Sequence, residues 1–243
     1  RRYSSAASDV YKRQTLTLFL IGISRKILLL FITVKMKPFK ALELQRNQGF
    51  LHTLLLSSCL FSEDIDVTKY DFIYACAQKN FGPSGITLVI AKKELLEKSN
   101  PDLPNILKYD AHANEGSMLN TPNTFGWYVA GKMFDWYLEN GGVAEMEKQS
   151  IAKTAMLYDL IDKSDFYENP VNPEQRSINN VVFTIVNSEL EKVFLEEAEK
   201  ADLRYLKGHR TVGGMRASIY NSMKIESVSA LKDFMENFEK NYG

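Results

Sequence analysis

Between residues 72 and 91 two short apolar runs flank a turn that carries a lysine, and no other stretch of the chain restricts the fold as much. The run 72–75 is apolar, and the run 86–91 is rich in β-branched residues and long enough for a buried strand. Between them stands Gln78-Lys79-Asn80-Phe81-Gly82-Pro83-Ser84-Gly85, dense in glycine and proline, so the lysine falls on a tight strand-to-strand loop. Spacing alone gives Lys79 no role beyond that of a solvated loop lysine.

Downstream, helical and strand patterns alternate to the end of the chain. Thr121-Pro122 followed by Thr124 supplies capping and first-turn chemistry for a helix reaching Asn140, with Gly141-Gly142 as its stop. Phe125, Val129, Met133, Phe134, Tyr137 and Leu138 recur at helical spacing and, with Trp127 and Trp136, are expected in a core. A second helix is expected over 143–163; Pro170 and Pro173 then break the chain before a strand at 181–186. Ser188 with Glu191 forms the pattern of a capping box for a helix ending near Ala201. A strand at 215–220 and an amphipathic helix at 227–239, built on Val228, Leu231, Phe234, Met235 and Phe238, close the chain. The alternation predicts an α/β protein rather than a bundle or a barrel.

Lys plus Arg and Asp plus Glu each number 30 in 243 residues, so the chain has no basic surplus for nucleic acid or an anionic membrane. Cys59 and Cys76 are too few for a disulfide framework, and no Cys/His cluster stands at zinc spacing, so neither a structural metal nor an oxidising compartment is expected. A cytoplasmic location fits best.

The first fifty-odd residues read differently. The run TLTLFLIGISRKILLLFITV at 15–34 is apolar enough for a membrane span, yet Arg25 and Lys26 sit at its middle, each costing about 2.5–3.5 kcal/mol at a bilayer centre. No small-residue cleavage site follows it. The string SSAASDVYKRQ at 4–14 resembles translated sequencing adapter. Residues 1–55 are therefore expected to be a non-native or artefactual leader, with order beginning near Ser57. A genuine hydrophobic leader and a membrane anchor are the alternatives, and both leave Arg25 and Lys26 to be explained.

From Ser57 onward the chain resembles the phosphoserine aminotransferase family, within the class V pyridoxal-phosphate-dependent aminotransferases. The resemblance rests on YDFIYACAQKNFGPSGITLVI, GSMLNTPNTFGWY, NGGVAEMEK, SDFYENPV and KGHRTVGGMRASIYN, five blocks in the family's order. It implies a fold-type-I transferase, like aspartate aminotransferase, with the remainder of a large cofactor domain at 56–140 and a small carboxy-terminal α/β domain at 141–243. It implies pyridoxal 5'-phosphate held by Lys79 as a Schiff base, a lysine that also moves the proton at the substrate Cα. Gln78, Asn120 and Thr121 would hold the cofactor phosphate, although the last two, read without the family, form an ordinary helix cap. Arg216 corresponds to the clamp on the α-carboxylate, and His209 with Arg210 to the pair that grips the distal phosphate or carboxylate. His52 and His112 match no functional position. The implied reaction exchanges an amino group between L-glutamate/2-oxoglutarate and 3-phosphohydroxypyruvate/O-phospho-L-serine, in serine and, for some members, pyridoxine biosynthesis. The implied assembly is a homodimer with shared active sites.

One departure is conspicuous. The family's aspartate, which keeps the pyridine nitrogen protonated, stands 24 residues before the lysine and ahead of a Ser-Ser pair; here that position is Leu55, followed by Leu56, Ser57 and Ser58. Leucine accepts no hydrogen bond, so the chain is expected to be a poorly active fragment. The family's stacking aromatic, glycine-containing phosphate turn and amino-terminal arginine likewise find no counterpart. Two other readings follow: a catalytically dead dimerisation partner, or an aminotransferase of the same subfamily acting on small amino acids. The second anion clamp at His209 and Arg210 argues against the latter.

Overall fold

The computed structural model describes residues 27–32, 53–210 and 212–243. Most of the expected leader, His52 and Thr211 lie outside the described residues. Two compact units result, the first holding the described residues up to Leu60 together with Asp64–Gly142, the second holding Phe61–Glu63 and Val143–Gly243.

The first unit is built on a four-stranded sheet of order β1-β4-β3-β2, where β1 is Ile27–Ile32, β2 Thr53–Leu55, β3 Phe72–Cys76 and β4 Thr87–Lys92. Strand β3 lies parallel to β2 and antiparallel to β4, and β1 pairs antiparallel with the outer side of β4. In β4 the five residues Thr87–Ala91 are all buried, the pattern of a strand covered on both faces. Ordered pairing therefore begins before Ser57, contrary to the sequence expectation, because β2 draws its hydrogen bonds from β3 and needs no periodicity of its own.

Helices α1 (Lys93–Leu96) and α2 (Tyr109–Asn114) are short; α3 (Thr124–Glu139) is the principal helix of this unit. Its cap is Asn123, whose side chain accepts from the Gly126 N–H at 3.0 Å, and not the Thr121-Pro122 pair expected from sequence. The helix buries Trp127, Ala130, Phe134 and Tyr137, while Phe125 is 70% exposed and Leu138 41%. Helical spacing sets which residues share a face, but not how far along that face the neighbouring sheet extends.

The second unit packs α4 (Gly142–Lys163), α5 (Leu190–Lys200) and α6 (Ile225–Tyr242) with a three-stranded antiparallel sheet, β5 (Tyr167–Glu168), β6 (Asn180–Ile185) and β7 (Met215–Ser218) in the order β5-β6-β7. Alternate residues Val181, Phe183 and Ile185 of β6 point into the core, as do Met215 and Ala217 of β7. Val228, Leu231, Met235 and Phe238 of α6 are buried as expected, and Phe234 packs beside them. Phe194 meets Tyr167, Phe183, Phe234 and Phe238 at ring centroid distances of 5.0–6.2 Å, all edge to face. The Tyr167 hydroxyl stays in this core by donating to the Met235 carbonyl at 2.9 Å, and burial pushes its pKa well above the usual tyrosine value. The capping box expected at Ser188 does not form. Asn187 instead accepts from the Glu189 N–H at 3.2 Å, closing an Asx turn one residue earlier.

Candidate active site

Lys79 lies on the turn from β3 to β4, as the sequence indicates, with Gln78 beside it; both side chains are exposed. The turn itself is not loose. The Ala77 N–H donates to the Ile86 carbonyl at 3.0 Å, and the Ala77 carbonyl accepts from Phe81 at 3.1 Å and Gly82 at 3.0 Å. Asn80 is 5% exposed; its Nδ2 donates to the Leu60 carbonyl at 3.0 Å, and its own carbonyl accepts from the Tyr137 hydroxyl at 2.8 Å. Phe81 is fully buried and stacks on Phe134 of α3, centroids 6.1 Å apart. Exposed polar residues at 78 and 79 thus alternate with anchored ones at 77, 80 and 81.

The start of α3 is pressed against the end of the same turn. A Cβ at Gly126 would stand 2.7 Å from Ile86 Cδ1 and 2.9 Å from Asn123 Nδ2, so any larger residue would have to displace those side chains. Asn120 and Thr121 are exposed in the segment leading into that helix. Gln78, Lys79, Asn120 and Thr121 therefore belong to one unit, borne by elements that pack on each other. Leu55 ends β2, opposite Tyr74 in the parallel ladder, so it lies at the carboxyl edge from which the Lys79 turn departs. Open α/β sheets bind ligands at that edge.

The other three residues lie in the second unit, on one hairpin. Arg216 is paired with Val182 across β6 and β7, and its N–H donates to the Leu206 carbonyl at 2.6 Å. The Gly208 N–H donates to the Gly214 carbonyl at 2.8 Å, closing the base of the loop, and the His209 carbonyl accepts from Val212 and Gly213, each at 2.9 Å. Gly214 holds φ +62° with the position of a Cβ 2.8 Å from the Phe183 carbonyl oxygen, so a side chain would strike backbone. His209 and Arg210 sit exposed at the tip, while Arg216 is half-buried at the base. The buried Nε of Arg216 has no hydrogen-bond partner among the described residues, an orphaned donor on a guanidinium.

Sequence reasoning missed the residues that hold these positions. Asn123 had a legible signal, an Asn-Thr pair before a helix; Asn80 and Lys153, both buried, had none, since their partners are carbonyls distant in sequence. Among the described residues no group of His, Cys, Asp and Glu could hold a metal ion, and no helix is long and apolar enough to cross a membrane.

A profile of the family described as Aminotransferase class-V matches residues 36–231, and the chain belongs to that family. The match begins inside the stretch expected to be a non-native leader. Within the class, the chain is similar to the phosphoserine aminotransferase of Acinetobacter baylyi, 52% identical over 188 residues that make up 77% of this chain and 52% of that protein. The chain thus spans about half the length of the curated relative it matches. Its fold is similar to that of phosphoserine aminotransferase from Bacillus circulans subsp. alkalophilus, with TM-score 0.87, 28% identity, and coverage of 98% of this chain and 88% of that one. The PLP-bound phosphoserine aminotransferase from Trichomonas vaginalis shares the fold at TM-score 0.82 and 23% identity, over 97% of this chain and 88% of that one. The architecture is therefore the fold-type-I transferase fold.

Proposed function

We propose that the chain carries the lysine-bearing and anion-reading parts of a phosphoserine aminotransferase. The amino group would pass between L-glutamate/2-oxoglutarate and 3-phosphohydroxypyruvate/O-phospho-L-serine. The observation that carries this reading is the Lys79 turn: an exposed amine on a backbone anchored by Ala77, Asn80 and Phe81, at the carboxyl edge of the sheet. A lysine that must first hold a cofactor and then act on its substrate needs a fixed base and an accessible tip.

Pyridoxal phosphate is the cofactor this family implies, and the residues fit it in part. Lys79 offers the amine, and Gln78, Asn120 and Thr121 offer donors for the phosphate, the last two just ahead of a helix start. Leu55 does not fit, because the ring nitrogen needs an acidic partner and a half-buried leucine offers none. When bound, the cofactor supplies an electron sink for the substrate Cα. Lys79 then holds and moves the proton at that carbon. Arg216 grips the α-carboxylate through its unpartnered Nε and the rest of its fork, and His209 with Arg210 reads the distal anion. We place the enzyme in the cytoplasm and in a homodimer with shared sites. In support of the dimer, the large apolar residues Ile106, Leu107, Phe125 and Tyr128 are each left between 52% and 70% exposed in the chain alone.

The test is differential binding of amino acids to the cofactor-loaded chain by calorimetry. Arg216→Leu should weaken phosphoserine, glutamate and alanine alike, because all share the α-carboxylate. Arg210→Leu should weaken only phosphoserine and glutamate, by roughly 1.5–3 kcal/mol, the worth of one charge-assisted contact. Equal losses for alanine and phosphoserine in Arg210→Leu would remove the distal-anion role and with it the substrate assignment. Leu55 favours a second reading, a non-catalytic copy that pairs with an active one. Turnover gained by Leu55→Asp supports the enzyme reading; cofactor binding without any gain supports the pairing one.

A further inference from the structure

The second unit contains a buried polar network that the proposed chemistry does not use. Lys153 of α4 is 2% exposed, and its Nζ donates to the carbonyls of Tyr220 at 3.2 Å, Asn221 at 3.3 Å and Met223 at 3.0 Å. Among the described residues it forms no ion pair, so three carbonyls take up the three donors of the ammonium. Burial draws its pKa below the ordinary lysine value. A charge held this way is expensive in a core, and a lysine turned outward would do equally well on a solvated helix face.

What the network holds is the loop after β7 and, through it, a short segment from far upstream. Asn221 is 4% exposed; its Nδ2 donates to the Phe61 carbonyl at 2.8 Å, and its Oδ1 accepts from the Ser62 hydroxyl at 2.6 Å. Asn179, fully buried, donates to the same Ser62 hydroxyl at 2.9 Å. Phe61 itself is buried at φ +67°, a left-handed conformation that a bulky residue keeps only when its surroundings over-determine it. Phe61–Glu63 belong to the second unit, whereas Leu60 and Asp64 on either side belong to the first. Immediately upstream the chain is tied to the Lys79 turn: Ser57 Oγ accepts from the Cys76 N–H at 3.1 Å, and Asn80 Nδ2 reaches the carbonyls of Ser58 at 3.4 Å and Leu60 at 3.0 Å. Cys76 and Asn80 bracket Lys79 in sequence.

We infer that residues 56–63 form a strap tied at one end to the Lys79 turn and at the other to the buried network, and that Lys153, Asn221, Ser62 and Asn179 are positioning residues that fix its register. The strap is anchored at one end by the hydrogen bonds to Cys76 and Asn80 and at the other by the Asn221 and Ser62 pair. Releasing the second anchor lets Phe61 leave its left-handed conformation, and the slack passes along the chain to the first. Its functional meaning rests on the assignment of Lys79 above; its physical content does not.

Hydrogen exchange on the whole 243-residue chain tests it, comparing the parent with Lys153→Met and Ser62→Ala. The amides of Phe81 and Gly82, which both donate to Ala77, report on the Lys79 turn. Both variants should speed exchange at 57–63 and at 76–82 by about tenfold or more, with α5 and α6 little changed. Acceleration confined to 219–224 in Lys153→Met and to 61–63 in Ser62→Ala would overturn the strap, as would an equal rise across α5 and α6. Where Lys153→Met does not fold, Ser62→Ala, which removes one hydroxyl, decides alone. A chain that shows the expected exchange pattern but takes up no pyridoxal phosphate at Lys79 keeps the strap and loses the cofactor assignment.

Discussion

The turn carrying Lys79 and the hairpin tip carrying His209 and Arg210 both lead into a strand, β4 and β7, yet they are held in different ways. Around Lys79 the backbone is fastened by Ala77, by buried Asn80 and by the Phe81–Phe134 stack, so that mainly Gln78 and Lys79 face outward. The hairpin is fastened at its base, by Gly208 with Gly214 and Leu206 with Arg216, while beyond the base Val212 is 74% exposed and nearby Tyr205 92%. The contrast matches the two tasks proposed. A covalently held cofactor fixes its lysine to within a fraction of an ångström, whereas substrates ending in a phosphate or a carboxylate differ in length and need a reader that can adjust.

The largest expected effect would break the comparison outright. Lys79→Ala should abolish the visible absorbance that develops when the chain takes up pyridoxal phosphate, and a band that persists in the variant would show that the fastened turn serves something else. Next comes the difference in packing. Phe81→Ala should lower unfolding free energy by about 3–5 kcal/mol in denaturant melts, while Val212→Ala should stay within about 0.5 kcal/mol. Comparable losses from both would mean the hairpin tip is buried in solution.

A smaller effect sharpens the picture of the hairpin base. Gly214→Ala places a methyl 2.8 Å from the Phe183 carbonyl at a left-handed φ, where neither backbone can give way easily. A loss of about 1–3 kcal/mol is expected, together with weaker binding of every amino acid, since Arg216 lies two residues on. Unchanged stability would show that the base opens as readily as the tip.

The smallest effect lies away from both turns. Arg176 holds Asp162 bidentately, at 2.6 and 2.7 Å, while its guanidinium lies 4.8 Å from the centre of the Tyr158 ring. Those hydrogen bonds keep the Asp162 carboxyl below its ordinary value of 3.8. Because the folded-state pKa is depressed, the contribution is full above the unfolded value and disappears as pH falls through the folded one, below 3.8. With the carboxylate about half exposed, solvent screening limits it to roughly 0.5–1 kcal/mol. Asp162→Asn should therefore melt slightly lower than the parent near neutral pH, and the gap should close in acid. A gap independent of pH would assign the effect to packing instead.

Much of this arrangement was legible from residue order. The Lys79 turn, the helix over 124–139 and the closing helix fall where punctuation and period put them, and β6 is displaced by a single residue, to Asn180–Ile185. The family blocks picked out Arg216, His209 and Arg210, and the structure sets all three on one hairpin. What was not legible depends on contacts distant along the chain. Phe125 has the spacing of a core residue and is 70% exposed, because period assigns a face and not its covering. Strand β2 is three residues long and borrows its pairing from β3, so no local pattern announced it.

The sequence by itself determined the lysine-bearing turn, the principal helices over 124–139 and 225–242 and the absence of an acid at position 55, since each follows from neighbours within a few residues. Only the tertiary structure decided that Lys153 is buried, that a buried Asn80 helps to fasten the Lys79 turn, and that Phe61 is held at a left-handed φ. The physical reason is the same for all three. A polar group or a strained backbone is stable inside a protein only when specific partners satisfy it, and those partners come from elements 20 to 160 residues away.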